Sequence, residues 1–257
     1  MTKIFYKEIS NERAVFEAAL SQKLPLLLKG PTGCGKSRFV EAMAENQNRK
    51  LVTVSCNDET SAADLIGRYL IKGGDTIWQD GPVLRAIKEG AILYLDEIAE
   101  AREDVITVLH SLSDHRRELF VDRLNESFKA DEHFMMIVSF NPGYQQSLKE
   151  MKPSTRQRFI SLDFDYPPKE IEEEIVKTES QIDQKYAKKL VQVANKIRNL
   201  HELALTETVS TRLLVNAAKL INTDISPRLA CDVAIVQTLT DDKEQAVALK
   251  DIINLII

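Results

Sequence analysis

Eight consecutive residues constrain this chain more than any other feature: Gly30, Pro31, Thr32, Gly33, Cys34, Gly35, Lys36 and Ser37 spell G-x-x-x-x-G-K-S. An apolar run ends just before them at Leu28, and residues 37–46 place Phe39, Val40, Met43 and Ala44 on one helical face. A strand, a glycine-rich turn and a helix in that order make a cradle for phosphate. Glycines let successive N–H groups point inward, and the helix presents its positive end to the same anion. Lys36 is then placed to reach the β- and γ-phosphates, and the Ser37 hydroxyl to ligate magnesium. ATP and Mg2+ are the expected ligands. Cys34, at a variable position of the loop, reads as a small filler and not as a nucleophile.

Short apolar runs at 24–28, 51–55, 91–95, 134–138 and 159–162 have strand length. Continuous apolarity between amphipathic segments, such as 82–88 and 104–112, predicts a parallel sheet covered on both faces. The fold class is α/β, with a five-stranded parallel sheet. The run 91–95 delivers Asp96 and Glu97 to the carboxyl edge of that sheet, Asp96 for the magnesium shell and Glu97 to polarise an attacking water. Asn141 ends another run; its amide either positions that water or is a turn residue before Pro142. Arg156 and Arg158 follow; forked and permanently charged, they suit a γ-phosphate in transfer, or else form a basic turn.

After Asp165 the texture changes. Pro167-Pro168 breaks the pattern, and helical periodicity covers 169–179, 187–200, 210–221, 226–239 and 243–257. The 257 residues therefore divide into an α/β domain at 1–166 and an all-helical domain at 167–257. Inserts are expected near 68–80, a hairpin turning at Gly73-Gly74, and near 115–133. The run Glu172-Glu173-Glu174 reads as a solvated helix face. Thirty-four Lys plus Arg against 39 Asp plus Glu give a net charge of −5, which argues against a nucleic-acid coat. No apolar run approaches the ~20 residues of a membrane span, and the amino terminus lacks the apolar core of a secretory signal. Three unpaired cysteines fit a reduced, cytoplasmic compartment. His110, His115, His133 and His201 lack metal-ligand spacing and are read as ordinary structural histidines.

Motifs at 28–37, 64–70, 78–82, 94–102, 114–117, 141–145, 152–159, 163–168 and 210–214, in that order, make the chain resemble the CbbQ/NirQ/NorQ group of MoxR-branch AAA+ ATPases. Within the group it looks most like the CbbQ type. The resemblance implies an AAA+ core with a helical lid. It makes Asn141 the sensor 1 residue and Arg212 the sensor 2 residue. Arg156 and Arg158 become the source of an arginine finger for a neighbouring subunit, with Arg158 the better fit. A homohexameric ring is implied, working with a von Willebrand factor A domain adaptor of CbbO type on a client enzyme, Rubisco, in the cytoplasm or in association with carboxysomes. NorQ- and NirQ-like maturation of nitric oxide reductase is the alternative client reading. Other classes are a nucleotide-gated scaffold and a small-molecule kinase, the latter leaving the helical lid unexplained. In related ATPases an insert at the position of 68–80 projects toward the ring pore. Tyr69, Ile71, Ile77 and Trp78 are thus candidates for client contact or for local core.

Overall fold

The computed structural model describes residues 3–142, 151–200 and 205–257. Gly143, Tyr144 and Gln145 of the motif at 141–145, and His201, lie outside the described residues. Contacts gather the chain into two compact units. The first holds Ser10–Pro31 and Lys36–Phe164; the second holds Phe5–Ile9, Thr32–Gly35 and Asp165–Ile257.

The first unit runs α1 (Glu12–Ser21), β1 (Leu26–Lys29), α2 (Lys36–Asn46), β2 (Leu51–Ser55), α3 (Ala62–Ile66), β3 (Gly67–Lys72), β4 (Asp75–Asp80), α4 (Pro82–Glu89) and β5 (Ile92–Asp96). It continues through α5 (Glu103–Ser113), β6 (Glu118–Val121), β7 (Glu126–Lys129), β8 (Met135–Phe140), α6 (Pro153–Arg156) and β9 (Ile160–Asp163). Five strands form one sheet in the order β2-β5-β8-β1-β9, every pair parallel. Each of the five apolar runs became one of these strands. Every residue of β8 is buried, as a strand flanked by two others and covered on both faces requires. Leu27, Leu93, Leu95 and Val138 pack with Val83, Leu84 and Ile87 of α4 and with Val105 and Leu109 of α5.

Strand order is what positions the chemistry. β5, β8 and β1 are neighbours, with Leu28 opposite Ser139 and Leu95 opposite Val138. Their carboxyl ends, which carry Asp96, Asn141 and the glycine-rich loop, therefore lie side by side. Two antiparallel hairpins, β3–β4 and β6–β7, stand apart from the main sheet. Gly73 and Gly74 join β3 to β4 at φ 65° and 94°, the positive values a two-residue hairpin turn demands.

The second unit contains α7 (Lys169–Ser180), α8 (Gln184–Arg198), α9 (Thr211–Ile221), α10 (Pro227–Cys231), α11 (Gln237–Leu239) and α12 (Lys243–Ile256). A π-helical segment, Asp232–Val236, interrupts what periodicity presented as one helix over 226–239. Asp183, Ser210 and Asp242 cap α8, α9 and α12 by accepting first-turn N–H groups. Leu190, Val191 and Ala194 of α8 pack with Leu214 and Ala217 of α9 and Ile253 of α12.

The acidic run of α7 is not a solvated face. Glu172 and Glu173 are buried, and only Glu174 is exposed. Glu172 accepts two hydrogen bonds from the Arg198 guanidinium, each 2.8 Å, and a third of 2.6 Å from the Thr211 hydroxyl. A carboxylate so deep must be paired, and here it is paired on both oxygens. Among the described residues no helix is long and apolar enough to cross a membrane.

Candidate nucleotide site

In the first unit, α2 begins at Lys36, directly after the glycine-rich loop. The buried Lys36 ammonium donates to the carbonyl oxygens of Gly30 (2.7 Å) and Pro31 (2.9 Å) and to Asn141 Oδ1 (2.7 Å). Asn141 is thereby brought to the base of the loop, as no ordinary turn residue need be. Beside it, Ser37 Oγ donates to Asp96 Oδ2 at 3.2 Å. The other Asp96 oxygen, Oδ1, accepts from the Tyr94 hydroxyl (2.7 Å) and from Ser139 Oγ (2.5 Å). A hydroxyl and a carboxylate oxygen converging from two elements are the hard donors that Mg2+ takes.

Glu97 follows as an exposed carboxylate with φ 56° and ψ 47°. This left-handed conformation costs an L-residue about 1–2 kcal/mol. Its N–H donates to Ser139 Oγ at 3.2 Å. Burial pushes the Tyr94 hydroxyl well above the ordinary tyrosine range, so it keeps its proton and remains a donor. Burial, then the charges of Asp96 and Glu97, push the nearby Cys56 thiol up to about 12, which leaves it a neutral packing group.

Thr32–Gly35, the tip of the loop, clusters with the helical unit. The Tyr166 hydroxyl donates to the Thr32 carbonyl at 3.2 Å, and the Arg198 guanidinium lies 4.1 Å from the Tyr166 ring centre. Gly33 has φ +70°, and a Cβ there would meet Ser210 Cβ at 2.7 Å and Arg212 Cβ at 3.3 Å. The start of α9, including the exposed Arg212, thus lies against the loop tip with room only for glycine. Cys34 is buried, in keeping with a filler.

Arg156 and Arg158 are exposed on α6 and the turn after it. Neither is joined to Lys36, Asp96 or Asn141 by a hydrogen bond or ion pair among the described residues. Their turn is tied to α5 through the buried Thr155, whose Oγ1 lies 2.9 Å from His110 Nε2. Burial, then the charges of Arg158 and Lys152, hold the His110 imidazole below its usual pKa.

Sequence reading missed Tyr94, Ser139, Tyr166 and His110. For the first two a signal existed. Tyr94 sits two residues before Asp96 on β5 and so shares its face, and Ser139 on β8 lies two residues before Asn141, which follows that strand directly. Tyr166 and His110 act through tertiary contacts that no spacing announces.

A phosphate-binding loop, an acidic strand one place removed and a sheet-end amide on the strand between them define a P-loop ATPase of the AAA class. The sequence profile described as "AAA domain (dynein-related subfamily)" matches residues 25–159, and the one described as "CbbQ/NirQ/NorQ C-terminal" matches 172–256. Protein NorQ of Paracoccus denitrificans is 53% identical over 248 residues, covering 96% of this chain and 92% of that one. Protein CbbQ of Hydrogenophilus thermoluteolus is 49% identical over 246 residues, again covering 96% and 92%. The chain belongs to the CbbQ/NirQ/NorQ family of AAA ATPases. Identities this close support the group without favouring its CbbQ type. A point-mutant structure of RuvB from Thermotoga maritima is 16% identical with a TM-score of 0.57, covering 96% of this chain and 71% of that one, and shares the fold.

Proposed function

We propose that this ATPase works as a homohexameric ring that turns hydrolysis into remodelling of another protein, together with a von Willebrand factor A domain partner. Lys36 and the loop N–H groups hold the β- and γ-phosphates, and Ser37 and Asp96 hold Mg2+. That ion supplies positive charge against the phosphate oxygens. Glu97, exposed on its left-handed turn, polarises the water, and Asn141, hydrogen-bonded to Lys36, orients it. Arg212 reads the γ-phosphate in its own subunit. Arg158, better placed before Phe159 than Arg156 is, serves the neighbouring subunit. The observation that carries this reading is the convergence of three strand ends, Lys36 Nζ to Asn141 at 2.7 Å and Ser37 Oγ to Asp96 at 3.2 Å.

A subunit whose finger arginine is exposed, away from its own loop, is built to complete another copy's site. Arg158→Ala should keep ATP binding and lose about 10³–10⁵ in hydrolysis rate. Mixing it with Lys36→Ala subunits should restore part of the activity, because each variant supplies what the other lacks. Absence of rescue in verified mixed rings would sink the assignment across the interface.

For the client, the resemblance carries release of inhibitors from Rubisco. The NorQ relative, at 53% identity against 49% for CbbQ, gives equal standing to the second reading, maturation of nitric oxide reductase. Client-stimulated ATPase assays with each enzyme separate the two. The β3–β4 hairpin is the client contact in either case. Ile71 is 82% exposed at its tip, with Tyr69 and Ile77 also exposed. Trp78 packs beneath, its ring edge-on to Tyr69 at 5.1 Å and its Nε1 donating to Asp80 at 2.8 Å.

A further inference from the structure

We infer that Tyr94 and Ser139 are positioning residues that set the Asp96 carboxylate and the Ser37 hydroxyl for Mg2+ and fix the backbone of Glu97. This rests on the reading of Ser37 and Asp96 as the Mg2+ holders.

Packing does not explain the Tyr94 hydroxyl. Its ring is buried in a strand otherwise built of Ile92, Leu93 and Leu95, and a phenylalanine ring would fill that space equally. A phenol taken out of water is unfavourable unless its hydroxyl finds partners. Here it finds several, and all belong to the nucleotide machinery. It donates to Asp96 Oδ1 at 2.7 Å, and its oxygen lies 3.3 Å from Ser37 Oγ and 3.2 Å from Ser139 Oγ.

Counting protons gives each hydroxyl a distinct task. Tyr94 has one proton, directed at Asp96 Oδ1 with Ser139 Oγ the longer second acceptor, which leaves its oxygen lone pairs for Ser37. Ser139 also gives its proton to Asp96 Oδ1, at 2.5 Å, and accepts the Glu97 N–H at 3.2 Å. One carboxylate oxygen is thus pinned by two donors, and the Asp96 plane is fixed with Oδ2 toward Ser37. A serine hydroxyl that ligates a cation must present a lone pair to it and turn its proton away. The Tyr94 oxygen is the acceptor waiting for that proton. Ser139 in addition holds the residue after Asp96 at the N–H of a strained backbone, so one hydroxyl places both acidic residues. The neutral donors do this without cancelling the carboxylate charge that attracts the ion.

The test is Mg2+ titration of a fluorescent ATP analogue on the full chain, beside the same binding measured in EDTA. Tyr94→Phe and Ser139→Ala should each raise the Mg2+ concentration for half-maximal enhancement about tenfold, the scale of one hydrogen bond to a charged group. Nucleotide affinity in EDTA and the thermal midpoint without Mg2+ should stay near wild type, which a general structural defect would not allow. Asp96→Asn should shift the Mg2+ response at least as far. Wild-type Mg2+ response in both hydroxyl variants, with Asp96→Asn shifted, overturns the inference alone. A wild type indifferent to Mg2+ overturns the Ser37–Asp96 reading and this inference with it. If Tyr94→Phe does not fold, the hydroxyl's hydrogen bonds hold the fold itself, which overturns the positioning role of Tyr94, and Ser139→Ala alone decides the role of Ser139.

Discussion

Two carboxylates held in hydrogen-bond networks, Asp96 in the first unit and Glu172 in the second, are treated in opposite ways. Glu172 meets a full positive charge, a bidentate Arg198, and a hydroxyl from Thr211. Arg198 in turn donates through Nε to the Val209 carbonyl at 2.8 Å. Charge and hydrogen bonds are both satisfied, and the group joins α7, α8 and α9. Asp96 meets only hydroxyls among its described partners, Tyr94, Ser139 and Ser37. Its geometry is fixed while its negative charge is left standing. A compensated carboxylate holds a fold together; a fixed but uncompensated one at a sheet edge is poised for a cation. Glu97 follows directly, its N–H tethered to Ser139 and its side chain exposed.

The largest effect should come from the nucleotide site. On the proposed mechanism Glu97→Gln removes the charge assigned to polarising water and should slow single-turnover ATP hydrolysis by about 10²–10⁴. Because the side chain is exposed and the tether is backbone, unfolding free energy should move by less than about 0.5 kcal/mol. Rate measurements and denaturant melts on the same preparation check both halves. A loss of stability comparable to the loss of rate would erase the contrast.

Next comes the compensated side, where the effect should fall on stability. Glu172→Gln takes the counter-charge from the part-buried Arg198 and should destabilise the helical unit by up to about 3 kcal/mol. Helical circular dichroism in urea would show an earlier transition. Replacing the pair together, Glu172→Leu with Arg198→Met, should recover much of that loss, because apolar groups of similar volume need no partner. A single variant as stable as wild type would mean that the ion pair contributes nothing to the fold.

The same contrast marks how far the sequence could be read. The five strands were legible because each is a contiguous apolar run, and the loop because its glycines and lysine sit at fixed spacing. Lys36, Ser37, Asp96 and Asn141 followed, since strand ends on a parallel sheet converge. Glu172 was misread because three adjacent glutamates look polar as a block. A helix turns about 100° per residue, so the three cannot share one face. Glu172 lines up instead with Val176 and Ser180, both buried, and that periodicity was there to be seen. The left-handed backbone of Glu97 had no local signal, because glutamate has no preference for it. Nor had the short α6 or the π-helical segment Asp232–Val236, which are set by packing rather than pattern.

The smallest effect concerns a group between these extremes, His110, which is neither charge-paired nor free. Its Nε2 meets Thr155, while Arg158 and Lys152 add positive potential to the effect of burial, and all three causes disfavour the imidazolium. The folded protein therefore holds fewer protons here than the unfolded chain does. Stability contributed by neutral His110 is fully present above the unfolded value of about 6.5. It is lost as pH falls from there through the depressed folded value. Urea midpoints of wild type and His110→Gln, compared at neutral pH and in acid below that window, isolate the term, since other groups titrate in both. The wild type should lose slightly more stability than the variant on acidification, and at about pH 8, above the unfolded value, the difference between them should be at its full size and no longer change with pH. An equal loss in both would mean that protonated His110 is tolerated beside Arg158, and that the Thr155 contact does not depend on a neutral ring. The turn bearing Arg158 would then owe its placement to Thr155 and Phe159 packing alone.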